Sequence, residues 1–477
     1  MLLKNFYFIF YDYETFGTRS SIDKPFQFSC VITDFDLNII SSDICFFCIP
    51  PIDYLPNIDS IFITKISPLD LLKKKCLNEY FFARKINKIF IKKNTCIVGY
   101  NNFSFDDEFT RNIFYRNFFD PYSWHWKNNS SRLDILIMLR AYYSFRPENI
   151  IWPKKNKKKN ISFKLIDFTK KNNIFYKKAH NAIYDVHATI SVTKFLKRKN
   201  KRLFYYILKM RFKKNVLSII NRNVWKPIFF SSSIFKTENF NLSTVLFLFI
   251  HPKNSNIAVM FDLSKNVKYL IYYIYKKKCL NLKINKLFLF GILFIYINRS
   301  PVIAPLSVFR KEDFTRFKIN LEKKNDKISY IRSKWNFFLL LKNFFLKEKK
   351  ENKKKKIDVD MKIYESFFCE SDKNIMKKIH NVNIEKVLKK KFLFHDYRMN
   401  KLFFRFKARN FINTLNYLEK KKWKKHCLKI INYKFLNKYI ENLKKKLKEN
   451  CFNKINVSLI KKVFIYIKYI VNILKNY

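Results

Sequence analysis

The chain opens on an apolar run, FYFIFYDYE (residues 6–14), that ends in two acids. Its length and its aromatic and isoleucine content predict a strand. FSCVITDFDLNII and ICFFCIP predict two more, and TCIVGYN predicts a buried fourth. Helical patterns lie between and after them, notably DDEFTRNIFYRNF and NAIYDVHATISVTKFLKRK. This alternation over residues 1–199 predicts an α/β domain. Residues 200–350 are richer in β-type runs, STVLFLFIH, IAVMFDL and LFLFGILFIYIN. They predict a smaller, largely β domain with some helix. LFLFGILFIYI, the longest apolar run there, is too short to span a bilayer and reads as a buried strand or strand pair.

KEKKENKKKK (residues 347–356) reads as a solvated linker. From residue 357 to 477 the pattern is helical. Ile460, Phe464, Ile467, Val471 and Leu474 recur at spacings of 4, 3, 4 and 3, which marks one helix face. Trp423 and Cys427, then Leu436, Ile440, Leu443 and Leu447, follow the same rule, and no Gly or Pro interrupts residues 406–477.

Composition changes this picture in two ways. The formal net charge of +61 predicts a polyanionic partner, nucleic acid or an anionic membrane face. Phe, Lys, Asn, Ile and Tyr, all encoded by A/T-rich codons, are abundant, whereas Gly occurs three times. Base-composition drift therefore inflates the lysine count, and the sign of the charge says more than its size. The surviving glycines, Gly17, Gly99 and Gly291, are expected where φ is positive or backbones approach closely.

Nine cysteines are scattered without a framework. Cys45 and Cys48 form a lone CxxC with no second pair and no His at zinc spacing, which predicts buried, reduced thiols. The count suits a reducing cytoplasm. MLLKNFYFIFYDYE has no signal-peptide cleavage pattern, so a soluble cytoplasmic protein is expected.

Asp12 and Glu14 alternate on one strand and point to the same face. Two same-side carboxylates within about 7 Å repel each other, and a divalent cation removes that repulsion. Two solvent-facing surface acids fit the pair equally well. A second acid cluster, Asp106, Asp107 and Glu108, follows TCIVGYNNFSF at a helix start, where the helix dipole alone favours acids. In AHNAIYDVHATI, His180 and Asp185 share a site if His180 precedes the helix; alone, His180 fits a surface loop. His187 points elsewhere. Asp12, Glu14, Asp106 and Asp185 with His180 form a hard donor set suited to Mg²⁺ or Mn²⁺. Two such ions about 3.5–4 Å apart can clamp a phosphodiester, with a His taking the proton of the attacking water.

This order of acids resembles the DEDD superfamily of 3′→5′ exonucleases, histidine-containing branch. DYETFGTRSSIDKPFQF, GYNNFSFDDEFTRNIFYRNFFDPYSWHW, NSSRLDILIMLRAYY, RPENIIWP, SFKLIDFTKKNNI and AHNAIYDVHATI resemble the bacterial exonuclease I family. The likeness is weak in NIAVMFDL and INRSPVIA and returns in FFRFKARNFINTLNYLEKKKW, covering nearly the whole chain. It implies a ribonuclease H-like mixed-sheet exonuclease domain, an SH3-like β-barrel and an all-helical C-terminal domain. It implies Mg²⁺-dependent, processive release of 5′-mononucleotides from the 3′ end of single-stranded DNA, in repair and recombination. It also implies a monomer that docks the acidic tail of single-stranded-DNA-binding protein.

Carried over by motif, Asp12, Glu14 and Asp185 are the metal ligands. Asp106 completes the catalytic set, and His180 is the general base. Glu14 and Lys164 meet the substrate. Lys164 stands where the family has Arg, which keeps the charge without the bidentate contact. Asn181 replaces an acid outside the core set. Basic and aromatic residues interleave in TRNIFYRNFFDPYSWHW, as single-strand grooves require. Of these, Arg111, Tyr122 and Trp126, with Arg140 downstream, match the family's DNA contacts. RFKARNF (residues 405–411) reads either as groove wall or as an exposed helix face. Two alternatives stand beside this reading: an exoribonuclease of the same superfamily, and a decayed nucleic-acid-binding protein.

Overall fold

The computed structural model describes residues 6–155, 160–176, 181–277, 283–317, 320–334, 336–347, 357–380 and 384–476. The chain divides into two compact units. The first comprises residues 1–130, 176–187 and 355–477; the second comprises residues 131–175 and 188–354.

In the first unit the predicted apolar runs become strands β1 (Tyr7–Thr15), β2 (Pro25–Thr33), β3 (Ile44–Phe47) and β4 (Thr95–Gly99). Their order is β3-β2-β1-β4. β1 pairs antiparallel with β2 and parallel with β4, so the sheet is mixed. Tyr11, Tyr13, Phe28, Phe82 and Phe90 form an aromatic layer on one face, with β1 central. Phe406, Met399 and Leu402 of the helix Tyr397–Asn410 belong to that same core. A second core joins Phe16, Phe26 and Tyr54 to Trp423, Cys427, Ile460, Val463 and Ile467 of the later helices. The C-terminal helices and the first sheet thus share two hydrophobic cores.

The helix Lys454–Asn476 buries Ile460, Ile467 and Leu474, while Phe464 and Val471 flank them. The 4-3-4-3 spacing found its face. In Tyr433–Glu449, Leu443 is fully buried and Leu436, Ile440 and Leu447 pack around the same core.

The second unit holds an antiparallel five-stranded sheet. Its order is Val302–Pro305, Ile228–Ser231, Leu242–Ile250, Ile257–Asp262, Ile292–Tyr296. One reading fails here. LFLFG is not strand: Ile284–Leu289 is a helix, Gly291 turns the chain at φ 108°, and the strand begins at Ile292. A short apolar run carries no period that separates strand from helix, and Leu289 proves exposed.

The glycine expectation holds in a mixed form. Gly291 needs its positive φ. At Gly17 an added Cβ would lie 2.2 Å from the Asp23 carboxylate, and at Gly99 it would lie 2.7 Å from Asn102. Cys48 is buried, but Cys45 is exposed. Three residues apart along an extended chain, the two thiols face opposite ways. The linker reading at 347–356 falls almost wholly outside the described residues. Among the described residues, no helix is long and apolar enough to cross a membrane.

Candidate active site

β1 carries its two acids in its second half. Asp12 pairs with Ser29 and Glu14 with Gln27 on β2, and the register shifts just after Glu14. Asp12 is half-buried and Glu14 buried. Asp185 lies in the first turn of the helix Ala182–Lys199. Carboxylate oxygens of Asp12, Glu14 and Asp185 lie within 4.8 Å of one another.

Asp106 begins the helix Asp106–Arg116 and is buried. The Tyr13 main-chain N–H donates to its Oδ1 at 3.3 Å, so Asp106 rests against β1 between the two acids. Its neighbours do other work. Asp107 accepts from the Tyr11 hydroxyl at 2.6 Å and from Asn102 at 3.1 Å, deep in the core. Glu108 is paired with Arg111. Of the three acids at this helix start, the fold brings Asp106 beside Asp12 and Glu14.

The electrostatics are those of acids gathered at close range. Burial pushes the Asp12 carboxyl well up, and Asp106, Asp185 and Glu14 push it further. Burial, then Asp185 and Asp106, raise Glu14 to about 8. Asp12, Glu14 and Asp185 are all hard oxygen donors, with no thiolate among them, which fits a divalent cation of the Mg²⁺ or Mn²⁺ kind.

His180 lies outside the described residues. Beside it, Asn181 accepts at Oδ1 from Gln27 Nε2 at 3.3 Å, and its carbonyl accepts from the Asp185 N–H at 3.1 Å. The departure from the family's acid is therefore a helix-start contact to β2. His187 is bonded to Asp43 at 2.9 Å, away from the cluster.

One residue escaped the sequence reading. The Tyr176 hydroxyl donates to Asp185 Oδ1. Burial, Asp185, Asp12 and Glu14 all raise the Tyr176 hydroxyl's pKa, which places it in the field of all three acids. Tyr176 sits in a non-periodic stretch nine residues before Asp185, so no spacing rule could have signalled it.

The proposed DNA contacts fall into different settings. Trp126 is 58% exposed, with Lys127 Nζ 5.7 Å from its ring centre. Tyr122 is half-buried and donates to the Ile363 carbonyl at 2.9 Å, its ring edge-on to Phe367. Arg111 is buried against Glu108. Arg116 and Trp124 of the same stretch are core residues; Arg116 is paired with Glu79 at 2.6 Å.

In the second unit, Arg140 lies 5.7 Å over the Phe163 ring. Lys164 is exposed in a cleft of about 1320 Å³ lined also by Trp152, Lys154, Asp167 and Lys170.

RFKARNF matches neither of its two readings. Arg405 and Arg409 are buried in ion pairs with Asp358, Asp360 and Asp53, and Lys407 is paired with Glu419. A basic run can point inward when the fold supplies acids from distant segments.

Three family models match along the chain: Exonuclease over residues 9–193, Exonuclease I SH3-like domain over 211–347, and Exonuclease I C-terminal domain over 357–470. The chain belongs to the exonuclease I family. Membership makes it an exonuclease-type hydrolase. It is 46% identical to the Exodeoxyribonuclease I of Buchnera aphidicola subsp. Schizaphis graminum, over 91% of this chain and 90% of that one. It is similar to the crystal structure of E. coli exonuclease I in complex with a dA16 oligonucleotide. There the TM-score is 0.90 and the identity 34%, over 98% of this chain and all of that one. A zinc-bound form of the E. coli enzyme with single-stranded DNA matches at a TM-score of 0.88 and 34% identity, over 98% of this chain and all of that one.

Proposed function

We propose that this chain is a 3′→5′ exodeoxyribonuclease that hydrolyses single-stranded DNA to 5′-mononucleotides. The observation that carries the reading is the meeting of the Asp12, Glu14 and Asp185 carboxylates, within 4.8 Å, in an exonuclease I family member. These three residues are the metal ligands, with two Mg²⁺ ions as cofactor and Mn²⁺ as a substitute. When bound, the ions neutralise the acids, lower the pKa of water and take up charge on the phosphodiester oxygens.

The chain's own residues do the rest. Asp106, held by the Tyr13 N–H, completes the acid set through water. His180 takes the proton of the attacking water at a ring nitrogen. Glu14 also binds substrate, and Lys164 stands where the family has Arg on the terminal nucleotide and acts as a point charge. Trp126 offers an open ring for base stacking. Tyr122, Arg140 and Arg111 complete the path, Arg111 on leaving Glu108. The charge of +61 supports docking of the acidic tail of single-stranded-DNA-binding protein. Free thiols among the described residues fit a reducing cytoplasm.

The test uses 3′-labelled single-stranded DNA and RNA, with Mg²⁺ and then EDTA. Mg²⁺-dependent mononucleotide release from DNA, abolished in Asp12→Ala, is the expected result. Release that survives Asp12→Ala, or that prefers RNA, overturns the reading.

A further inference from the structure

Asp185 comes to the site from a different part of the chain than Asp12 and Glu14, and contacts from Asn181 and Tyr176 help to hold it there. Its helix is anchored at Asn181, whose Oδ1 accepts from Gln27 on β2, the residue opposite Glu14. That contact places the backbone. The carboxylate still has a rotamer and two oxygens to choose between. The Tyr176 hydroxyl donates to Oδ1 and restricts that choice. Tyr176 itself is half-buried.

We infer that Tyr176 is a positioning residue for metal binding: by holding Oδ1, it presents Asp185 to the space shared with Asp12 and Glu14. An outer donor of this kind lowers the entropy lost when a ligand carboxylate is engaged. Removing such partners commonly costs about 10–100-fold in metal affinity. The inference rests on the metal-binding reading of the three acids.

Calorimetric titration of Mn²⁺ into the full chain tests it, comparing wild type, Tyr176→Phe and Asp185→Asn. The Phe variant keeps the ring and loses only the donor, and circular dichroism and the melting temperature confirm that it folds. Tyr176→Phe is expected to bind Mn²⁺ about 10-fold more weakly. Its affinity for oligo(dT) in EDTA should stay within about twofold, a split that general misfolding would not produce. At saturating DNA the Mn²⁺ concentration giving half-maximal turnover should rise by the same factor. Mn²⁺ binding equal to wild type, or tighter, overturns the role of Tyr176 alone. If wild type and Asp185→Asn bind Mn²⁺ alike, the metal reading fails and the inference falls with it.

Discussion

At the scale of single residues the site is a set of acids crowded beyond comfort. Glu14 is raised from its ordinary 4.5 to about 8, chiefly by burial. The folded, cation-free chain therefore keeps a proton that the unfolded chain has released. Stability should fall as pH rises from about 4.5 to 8, because the native state binds more protons there. Thermal melts in EDTA should give a lower Tm at pH 8 than at pH 6. Glu14→Gln should flatten that slope, and Mg²⁺ should restore more at pH 8 than at pH 6. A Tm independent of pH would count against the crowding. His180→Ala addresses the other half of the chemistry. It should bind oligo(dT) as wild type does and turn over about 10²–10⁴-fold more slowly, read from single-turnover rates. Unchanged turnover removes His180 from the mechanism.

At the scale of elements, the end of β1 is set by a tight turn. Gly17 packs its bare Cα against the Asp23 carboxylate. That carboxylate accepts from the Arg19 N–H at 2.8 Å and the Tyr54 hydroxyl at 3.2 Å, while Tyr54 also donates to the Phe16 carbonyl. Gly17→Ala should cost about 1–3 kcal/mol in urea unfolding, since a methyl must displace a bonded carboxylate. A loss under about 0.5 kcal/mol would mean the turn yields freely. The acids of this element were legible because strand alternation is local: Asp12 and Glu14 share a face whatever the rest of the chain does. The helix Ile284–Leu289 was not legible, because a few apolar residues satisfy both periods until packing exposes Leu289.

At the scale of the whole molecule, the first unit joins segments far apart in sequence through buried charge. Arg409 bonds Asp53 at 2.7 Å and Asp360 at 2.6 Å, and Arg405 bonds Asp360 at 3.0 Å. These pairs hold the Asp360 acid well below its usual range, against the cost of its burial. Arg409→Met would leave Asp53 and Asp360 short of a partner in the interior. It should destabilise the chain by about 3–5 kcal/mol, measured by urea denaturation. A loss below about 1 kcal/mol would mean that water reaches the cluster.

The sequence by itself determined the mixed α/β character of the first segment, the paired acids at the end of β1, Asp106 at a helix start and the C-terminal helix faces. Each follows from periodicity or spacing, which act within a few residues. The family resemblance implied that Asp185 joins Asp12 and Glu14, and the tertiary structure brings the three together; only the tertiary structure decided that Tyr176 reaches Asp185 and that Arg405 and Arg409 turn inward. Those facts depend on which distant segments share a core. Local patterning states which face an element buries; it does not state against what.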